Sequence, residues 1–230
     1  MKRKPCWNNA ITCLVLVLLW PWAAGAERNV SPGINDYYYD ADFGDWVGVF
    51  ERPGREVFDR RFQITAALEL KPGMRVADIG AGTGLFTRLF ARQVRPDGRV
   101  YAVDIAPDFV DNILLSARNQ GLDNVQGVVN DQRGVGLPPD SIDVAFICDT
   151  YHHFEFPYKT MATVHKALRP GGRLIVVDFK KIPGVSRDWI IGHVRCDQKE
   201  TTAEIVEASF ELIDTPDIME EQFVLRFKKK

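Results

Sequence analysis

No sign of charge dominates this chain: 29 Lys and Arg face 31 Asp and Glu over 230 residues, a formal net charge of −2. A protein that neutralises nucleic-acid phosphates needs a basic surplus, so that class is disfavoured. Cysteine is scarce, at four residues, and a chain of this length can bury a full core without staples, so a disulfide scaffold is not required. Neither a Cys-x-x-Cys pair nor a helical His-x-x-x-His occurs, so no metal is expected. Internal repeats and low-complexity tracts are missing as well, apart from a terminal Lys228-Lys229-Lys230. What remains is an ordinary globular composition, 46% hydrophobic and 26% charged, of a size that fits one domain with a small appendage.

The averages hide a sharp change at the start. Lys2, Arg3 and Lys4 precede an apolar run from Ala10 to Trp20, and Ala24-Gly25-Ala26 follows with a small–x–small pattern. This is the order of a cleavable export signal over residues 1–26. An uncleaved anchor over residues 5–26, which carry no charge, is the alternative. In either case the basic residues stay in the cytoplasm and the rest of the chain lies outside it, periplasmic, secreted or anchored. The leader holds three of the basic residues, none of the acidic ones, and Cys6 and Cys13, so the remainder is distinctly acidic. That leaves the leader, if uncleaved, as the only expected membrane contact.

Residues 27–54 form a polar, aromatic arm, with Tyr37, Tyr38 and Tyr39 among aspartates, that could dock on the domain or lie over a ligand as a lid. From residue 55 to 230 the pattern is that of one domain. Arg55 to Leu70 has apolar residues at helical spacing, stopped by Lys71-Pro72-Gly73. Strands are then expected at 75–79, 99–103, 125–129, 142–148 and 173–179, with helices at 85–94, 106–119 and 157–168 between them. A helix at 202–209 precedes two closing strands, 210–213 and 222–227. Such alternation gives an α/β, doubly wound, mostly parallel sheet with helices on both faces. The closing strands have no helix between them and should pair antiparallel at the sheet edge.

Open sheets of this type bind ligands beyond the carboxyl ends of their strands. The first strand ends at Asp78-Ile79-Gly80-Ala81-Gly82-Thr83-Gly84, where glycines let the backbone turn and approach a ligand closely. Leu85 stands where a dinucleotide fingerprint has its third glycine. The second strand ends at Asp104, placed to accept hydrogen bonds from both hydroxyls of a ribose. The third is followed by Asn130-Asp131-Gln132, and the fourth by Asp149-Thr150-Tyr151-His152-His153. Four consecutive strand ends thus bring polar groups to one crevice.

This ordered set, with Leu168-Arg169-Pro170-Gly171-Gly172-Arg173 entering the fifth strand, resembles the class I S-adenosylmethionine-dependent methyltransferases. The likeness runs from about Arg55 to Lys230 and is nearest the small-molecule, quinone-biosynthesis-like branch. It implies a Rossmann-like sheet of seven strands and S-adenosylmethionine as cofactor. Gly80, Gly82 and Gly84 would line its methionine portion, with Asp78 near the ammonium. Asp104 would hold the ribose, Ile105 would pack on adenine and Asp131 would meet the adenine amine, with Asp149 a further cofactor-binding candidate. Many relatives carry Gly-Asp-Ala where this chain has Asn130-Asp131-Gln132, so a neighbour of Asp131 could make the adenine contact instead.

Methyl transfer from an activated donor needs chiefly alignment of the acceptor and exclusion of water. A base helps when the nucleophile must lose a proton, and histidine suits that task. His152 and His153 follow the fourth strand, and His193 follows the fifth, so these three are the candidate catalytic residues. Tyr151 and Arg195 are candidates to touch the acceptor, Arg195 by anchoring an anion, with Tyr38 and Trp46 as a roof. The acceptor expected is a small, apolar or weakly acidic molecule. Cys148 and Cys196 are reduced core residues or, in an oxidising compartment, a disulfide. Two other functions compete: an exported, non-catalytic S-adenosylmethionine-binding module, and a nicotinamide-dependent oxidoreductase. The second lacks a Tyr-x-x-x-Lys pair at Tyr151 or Tyr158.

Overall fold

The computed structural model describes residues 27–39 and 42–230; the expected leader, 1–26, lies outside the described residues. Seven strands, β1 Arg75–Ile79, β2 Arg99–Asp104, β3 Val125–Val129, β4 Ile142–Cys148, β5 Leu168–Phe179, β6 Phe210–Asp214 and β7 Gln222–Lys229, form one sheet. Their order is β3-β2-β1-β4-β5-β7-β6. β1 pairs parallel with both β2 and β4, so the chain reverses direction across the sheet between these two neighbours. A crevice opens at that reversal, beyond the strands' carboxyl ends.

Alternation of side chains explains why both faces are covered. In β4, Val144 and Phe146 join one core cluster while Ala145 and Ile147 join the other. β5 splits in the same way, with Ile175 and Val177 on one side and Leu174 and Val176 on the other. A strand apolar on both faces must be buried on both, so helices pack above and below. On one face Phe86 and Phe90 of α5 (Leu85–Gln93) meet the Phe146 ring at centroid distances of 4.8 and 5.1 Å. α6 (Pro107–Asn119), α7 (Pro157–Ala167) and α9 (Gln198–Glu207) supply the rest of the covering layers.

The expected elements are found with informative differences. The closing pair is antiparallel as expected, but β7 is inserted between β5 and β6, antiparallel to both. The expected helix over Arg55 to Leu70 is two short ones, α3 Glu56–Asp59 and α4 Arg61–Ala67, broken at Arg60 with ψ 8°. Phe62 points outward there, 60% exposed, so the apolar spacing does not trace a single buried stripe. α9 starts at Gln198 rather than Thr202, because Asp197 accepts the Glu200 N–H and Glu200 returns a bond to the Asp197 N–H. A further helix, α8 Asp188–His193, was not expected at all. It carries His193 to the crevice.

The arm is docked rather than loose. It folds as α1 Asp36–Tyr39 and α2 Phe43–Phe50. The Glu27 carboxylate accepts the Tyr158 and Lys159 N–H groups at 2.8 Å each, capping the start of α7. Buried Asn35 donates to the His153 carbonyl at 2.9 Å and to Gln132 at 3.0 Å. Glu51, just after α2, accepts Arg88 Nη2 on both carboxylate oxygens at 2.7 Å, while Arg88 Nη1 donates to the Thr83 carbonyl. No helix among the described residues is long and apolar enough to cross a membrane.

Candidate active site

The glycine loop after β1 has positive φ at Gly80, Gly82 and Gly84, and a Cβ on Gly80 would collide with the Thr150 side chain. Loop and β2 are tied together: Gly80 and Ala81 donate to the Val103 carbonyl at 2.8 and 3.1 Å, and Gly82 donates to Asp104 Oδ2 at 2.8 Å. Asp104 Oδ1 accepts the Ala106 N–H at 3.0 Å. Burial pushes the Asp104 carboxyl up to about 6 despite these donors. Asp78 is buried below the loop and accepts the Thr87 hydroxyl at 2.6 Å; burial pushes it up to about 7 against that hydrogen bond.

Asp149 sits in the left-handed region at φ 47°, an unusual conformation for a residue with a side chain, at the end of β4. Its Oδ2 pairs with Arg55 at 2.7 Å, while its Oδ1 is buried with no partner among the described residues. Burial raises this carboxyl to about 6, and the Arg55 charge opposes the rise. Asp131, Ile105 and Phe109 complete this end of a cavity of about 440 Å³. Asn130 and Gln132 line it too, but both side chains are engaged, Asn130 on the Gly134 carbonyl and Gln132 on Tyr39 and Asn35. Asp131 uses one oxygen on the Arg133 N–H, which keeps its second outside these hydrogen bonds.

At the other end of the same cavity three imidazoles meet. His152 and His153 lie on a single 3₁₀ turn, Tyr151–His153, and both are buried. His152 Nδ1 contacts Asp178 Oδ1 at 2.7 Å, and its backbone N–H reaches Asp178 Oδ2 at 3.1 Å. Burial alone would depress His152, but the Asp178 carboxylate outweighs it and raises its pKa. His153 Nε2 lies 3.4 Å from His193 Nε2. Burial, helped by His152, lowers His153 to about 3, and the same two causes lower His193. At neutral pH His153 and His193 therefore present lone pairs, whereas His152 and Asp178 form an acid–imidazole couple with its second nitrogen free. Such a set can accept a proton or donate lone pairs to an electrophile.

Two of the expected acceptor contacts are corrected. Tyr151 is fully buried and donates to Glu204 Oε2 at 2.9 Å, and Arg195 grips the same carboxylate at 2.6 and 2.8 Å. These groups satisfy one another on the α9 side and do not line the cavity. Tyr38 and Trp46 do line it, their rings 5.0 Å apart, with Tyr38 edge-on to His153 at 5.4 Å. Tyr37 points away and is 74% exposed. The expectation of no metal rested on sequence spacing; the fold brings one ring nitrogen each of His152, His153 and His193 within 4.8 Å of one another. Cys148 and Cys196 are free thiols, which removes the disulfide alternative.

Some site residues gave no usable signal in the sequence. Arg55 and Asn35 act across 94 and 118 residues of chain, a reach no local pattern encodes. Asp178 does carry a local signal, an acidic residue one position before the end of β5, much as Asp104 ends β2. Trp189 and Arg187 reach the cavity through the unexpected α8 and its N-cap.

The chemistry of the donor end tests the fit of a nucleoside cofactor. Asp78, Asp104, Asp131 and Asp149 converge there, and burial disfavours the charge on at least three of them. A cationic ligand relieves that cost, while a pyrophosphate would aggravate it. S-adenosylmethionine, with its sulfonium and ammonium, is cationic and has a ribose for Asp104; a nicotinamide dinucleotide is anionic and is a poor match. The sequence profile of the family described as "Methyltransferase domain" matches residues 70–223, more than half of the chain. The chain belongs to this family of class I S-adenosylmethionine-dependent methyltransferases. It is 36% identical over 130 residues to the ubiquinone/menaquinone biosynthesis C-methyltransferase of Ectopseudomonas mendocina (strain ymp), covering 54% of this chain and 48% of that enzyme. The corresponding enzyme of Vibrio campbellii is 32% identical over 123 residues, covering 53% and 47%. The chain spans about half the length of the curated relatives it matches. A crystal structure of an S-adenosylmethionine-dependent methyltransferase from Aquifex aeolicus shares the fold at TM-score 0.73 and 22% identity, covering 83% of this chain and all of that one. In this methyltransferase the glycine loop, Asp78 and Asp104 are the groups that would hold the methionine and ribose portions.

Proposed function

We propose that this methyltransferase moves a methyl group from S-adenosylmethionine to a small, planar, weakly acidic acceptor such as a phenol. One observation carries the reading: the four aspartates and the three histidines open onto a single continuous cavity. The cofactor, when bound, supplies an activated methyl; everything else is the work of the chain. Asp78, Asp104 and Asp131 bind the donor, and the rings of Tyr38, Trp46, Phe179 and Trp189 sandwich a flat acceptor and keep water out. The imidazoles favour loss of the acceptor's proton. Kinship with the quinone C-methyltransferases supports a ring substrate, with carbon or oxygen as the accepting atom.

Calorimetric titration with S-adenosylmethionine and with its demethylated product is the direct test, and both should bind at one site. If neither bound, the proposal would fail. Transfer of labelled methyl to a panel of phenols and hydroxyquinones then identifies the acceptor. We further infer that the domain works outside the cytoplasm, because the first 26 residues have the order of an export signal. Fractionating cells and sequencing the mature N-terminus tests this; an intact Met1 on a soluble cytoplasmic chain would refute it.

A further inference from the structure

We propose that His152, His153 and His193 form a binding site for a divalent transition metal of the zinc class at the acceptor end of the cavity. The spacing is that of a ligand set. Two imidazole nitrogens on one tetrahedral zinc, each at about 2.0–2.1 Å, stand roughly 3.4 Å apart. His153 Nε2 and His193 Nε2 are 3.4 Å apart, and a nitrogen of His152 lies within 4.8 Å of both ligand atoms.

His152 also has the support that metal-bound imidazoles have. Its Nδ1 is held by Asp178, which leaves Nε2 as its ligand atom. A carboxylate behind a histidine fixes the ring's tautomer and direction and makes the far nitrogen a better donor. Asp178 is itself fixed, accepting the N–H groups of His152 at 3.1 Å and Phe179 at 2.8 Å. Around the cluster, Tyr38 lies edge-on to His153, Phe179 edge-on to His152 and Trp189 beside His193, so an aromatic ring flanks each imidazole.

The donor type selects the ion. Imidazoles suit zinc, copper, iron and nickel, whereas magnesium and calcium want oxygen ligands. Three imidazoles leave one position open on a four-coordinate ion, the arrangement of catalytic rather than structural sites. All three histidines line the cavity, so the open position faces bound molecules. A hydroxyl or carboxylate oxygen of the acceptor is the ligand it would take, with the hydroxyl proton passing to solvent on coordination. This last step rests on reading that end of the cavity as the acceptor's place. The spacing rule that argued against a metal misses the site, because an adjacent pair on a 3₁₀ turn and a third histidine 40 residues later converge only in three dimensions.

The test uses the purified chain after chelator treatment, titrated with Co²⁺ alone and read by visible absorption, then with Zn²⁺ in competition. About one ion per chain and the visible bands of tetrahedral cobalt are expected. His193→Ala, at an exposed position, should weaken binding at least 10-fold without loss of circular dichroism. Asp178→Asn should weaken it about 10- to 100-fold. His165→Gln, which alters an imidazole in the last turn of α7, should leave it unchanged. Absence of the cobalt bands in the folded wild-type chain, or equal binding by the double variant His153→Ala/His193→Ala, would overturn the proposal. Calorimetry of the metal-free chain with S-adenosylmethionine separates the two readings. Nucleoside binding without ion uptake sinks the metal site alone, and ion uptake without nucleoside binding sinks the methyltransferase reading alone.

Discussion

Asp104 holds two backbone N–H groups with a buried carboxyl raised to about 6 from an ordinary 3.8. Between those values the folded chain keeps a proton that the unfolded chain has released, so this contribution to stability is lost as pH rises through the window. Asp78, raised to about 7, extends the same fall. Ribose hydroxyls donate to the ionised carboxylate, so nucleoside affinity should run the other way and rise with pH. Calorimetry should find S-adenosylmethionine bound more weakly at about pH 5 than at about pH 7.5. Asp104→Asn should lose roughly 1.5–3 kcal/mol of binding, or more than 10-fold in Kd, at the higher pH. It should also show a flatter profile; a wild-type affinity independent of pH would contradict the assignment. Gly80→Ala tests the loop, since its φ of 69° and the Thr150 side chain both oppose a Cβ. Denaturant unfolding should show a loss of about 2 kcal/mol or more. Residues of this kind were legible in the sequence because each is the last polar group of an apolar run. Arg55 was not, because its partner Asp149 is brought to it only by the docking of the segment before β1.

At the scale of elements, the 3₁₀ turn after β4 has two sides that serve different ends. His152 and His153 face the cavity, while Tyr151 faces α9, where Glu204 binds both Tyr151 and Arg195. The Arg195–Glu204 pair is mostly buried, with side chains 16% and 17% exposed. Removing one partner strands the other, which costs roughly 2–3 kcal/mol. Arg195→Ala should therefore lower the denaturation midpoint while leaving S-adenosylmethionine affinity unchanged, a split that calorimetry and unfolding curves read separately. A loss of affinity with stability intact would restore Arg195 to the binding site. Long elements with a regular apolar pattern were legible, from β1 through α7, because burial on a known face imposes the period. Short ones were not. α8 has six residues, too few for a period to show, and α3 and α4 are divided at Arg60 by backbone geometry that the apolar spacing does not reveal.

For the whole molecule, the cavity lies between the sheet's carboxyl edge and the docked arm. Asn35 ties α1 to the His153 carbonyl, and Phe50 of α2 packs against Gly82, where a Cβ would meet its ring at 3.4 Å. A ligand held from both sides stabilises the folded state as a unit. At 100 times its Kd, a ligand bound only by the folded chain adds about 2.7 kcal/mol. For a domain of this size that should raise Tm by about 5–11 °C, measured by scanning fluorimetry with S-adenosylmethionine. A shift absent at saturating concentration would mean that the folded chain does not bind the nucleoside.

The fold class, the glycine loop and the aspartates at the strand ends were determined by the sequence itself, since each depends on residues within one strand–loop–helix unit. A two-residue period, a turn that requires positive φ and a carboxylate at a strand end are local facts. Only the tertiary structure decided which face of the turn after β4 reaches the cavity, that Tyr151 and Arg195 serve α9 instead, and that β7 lies between β5 and β6. It also decided that three histidines from two segments share one point in space. These outcomes depend on which surfaces pack together, and packing is set by contacts between residues tens of positions apart that no short stretch of sequence contains.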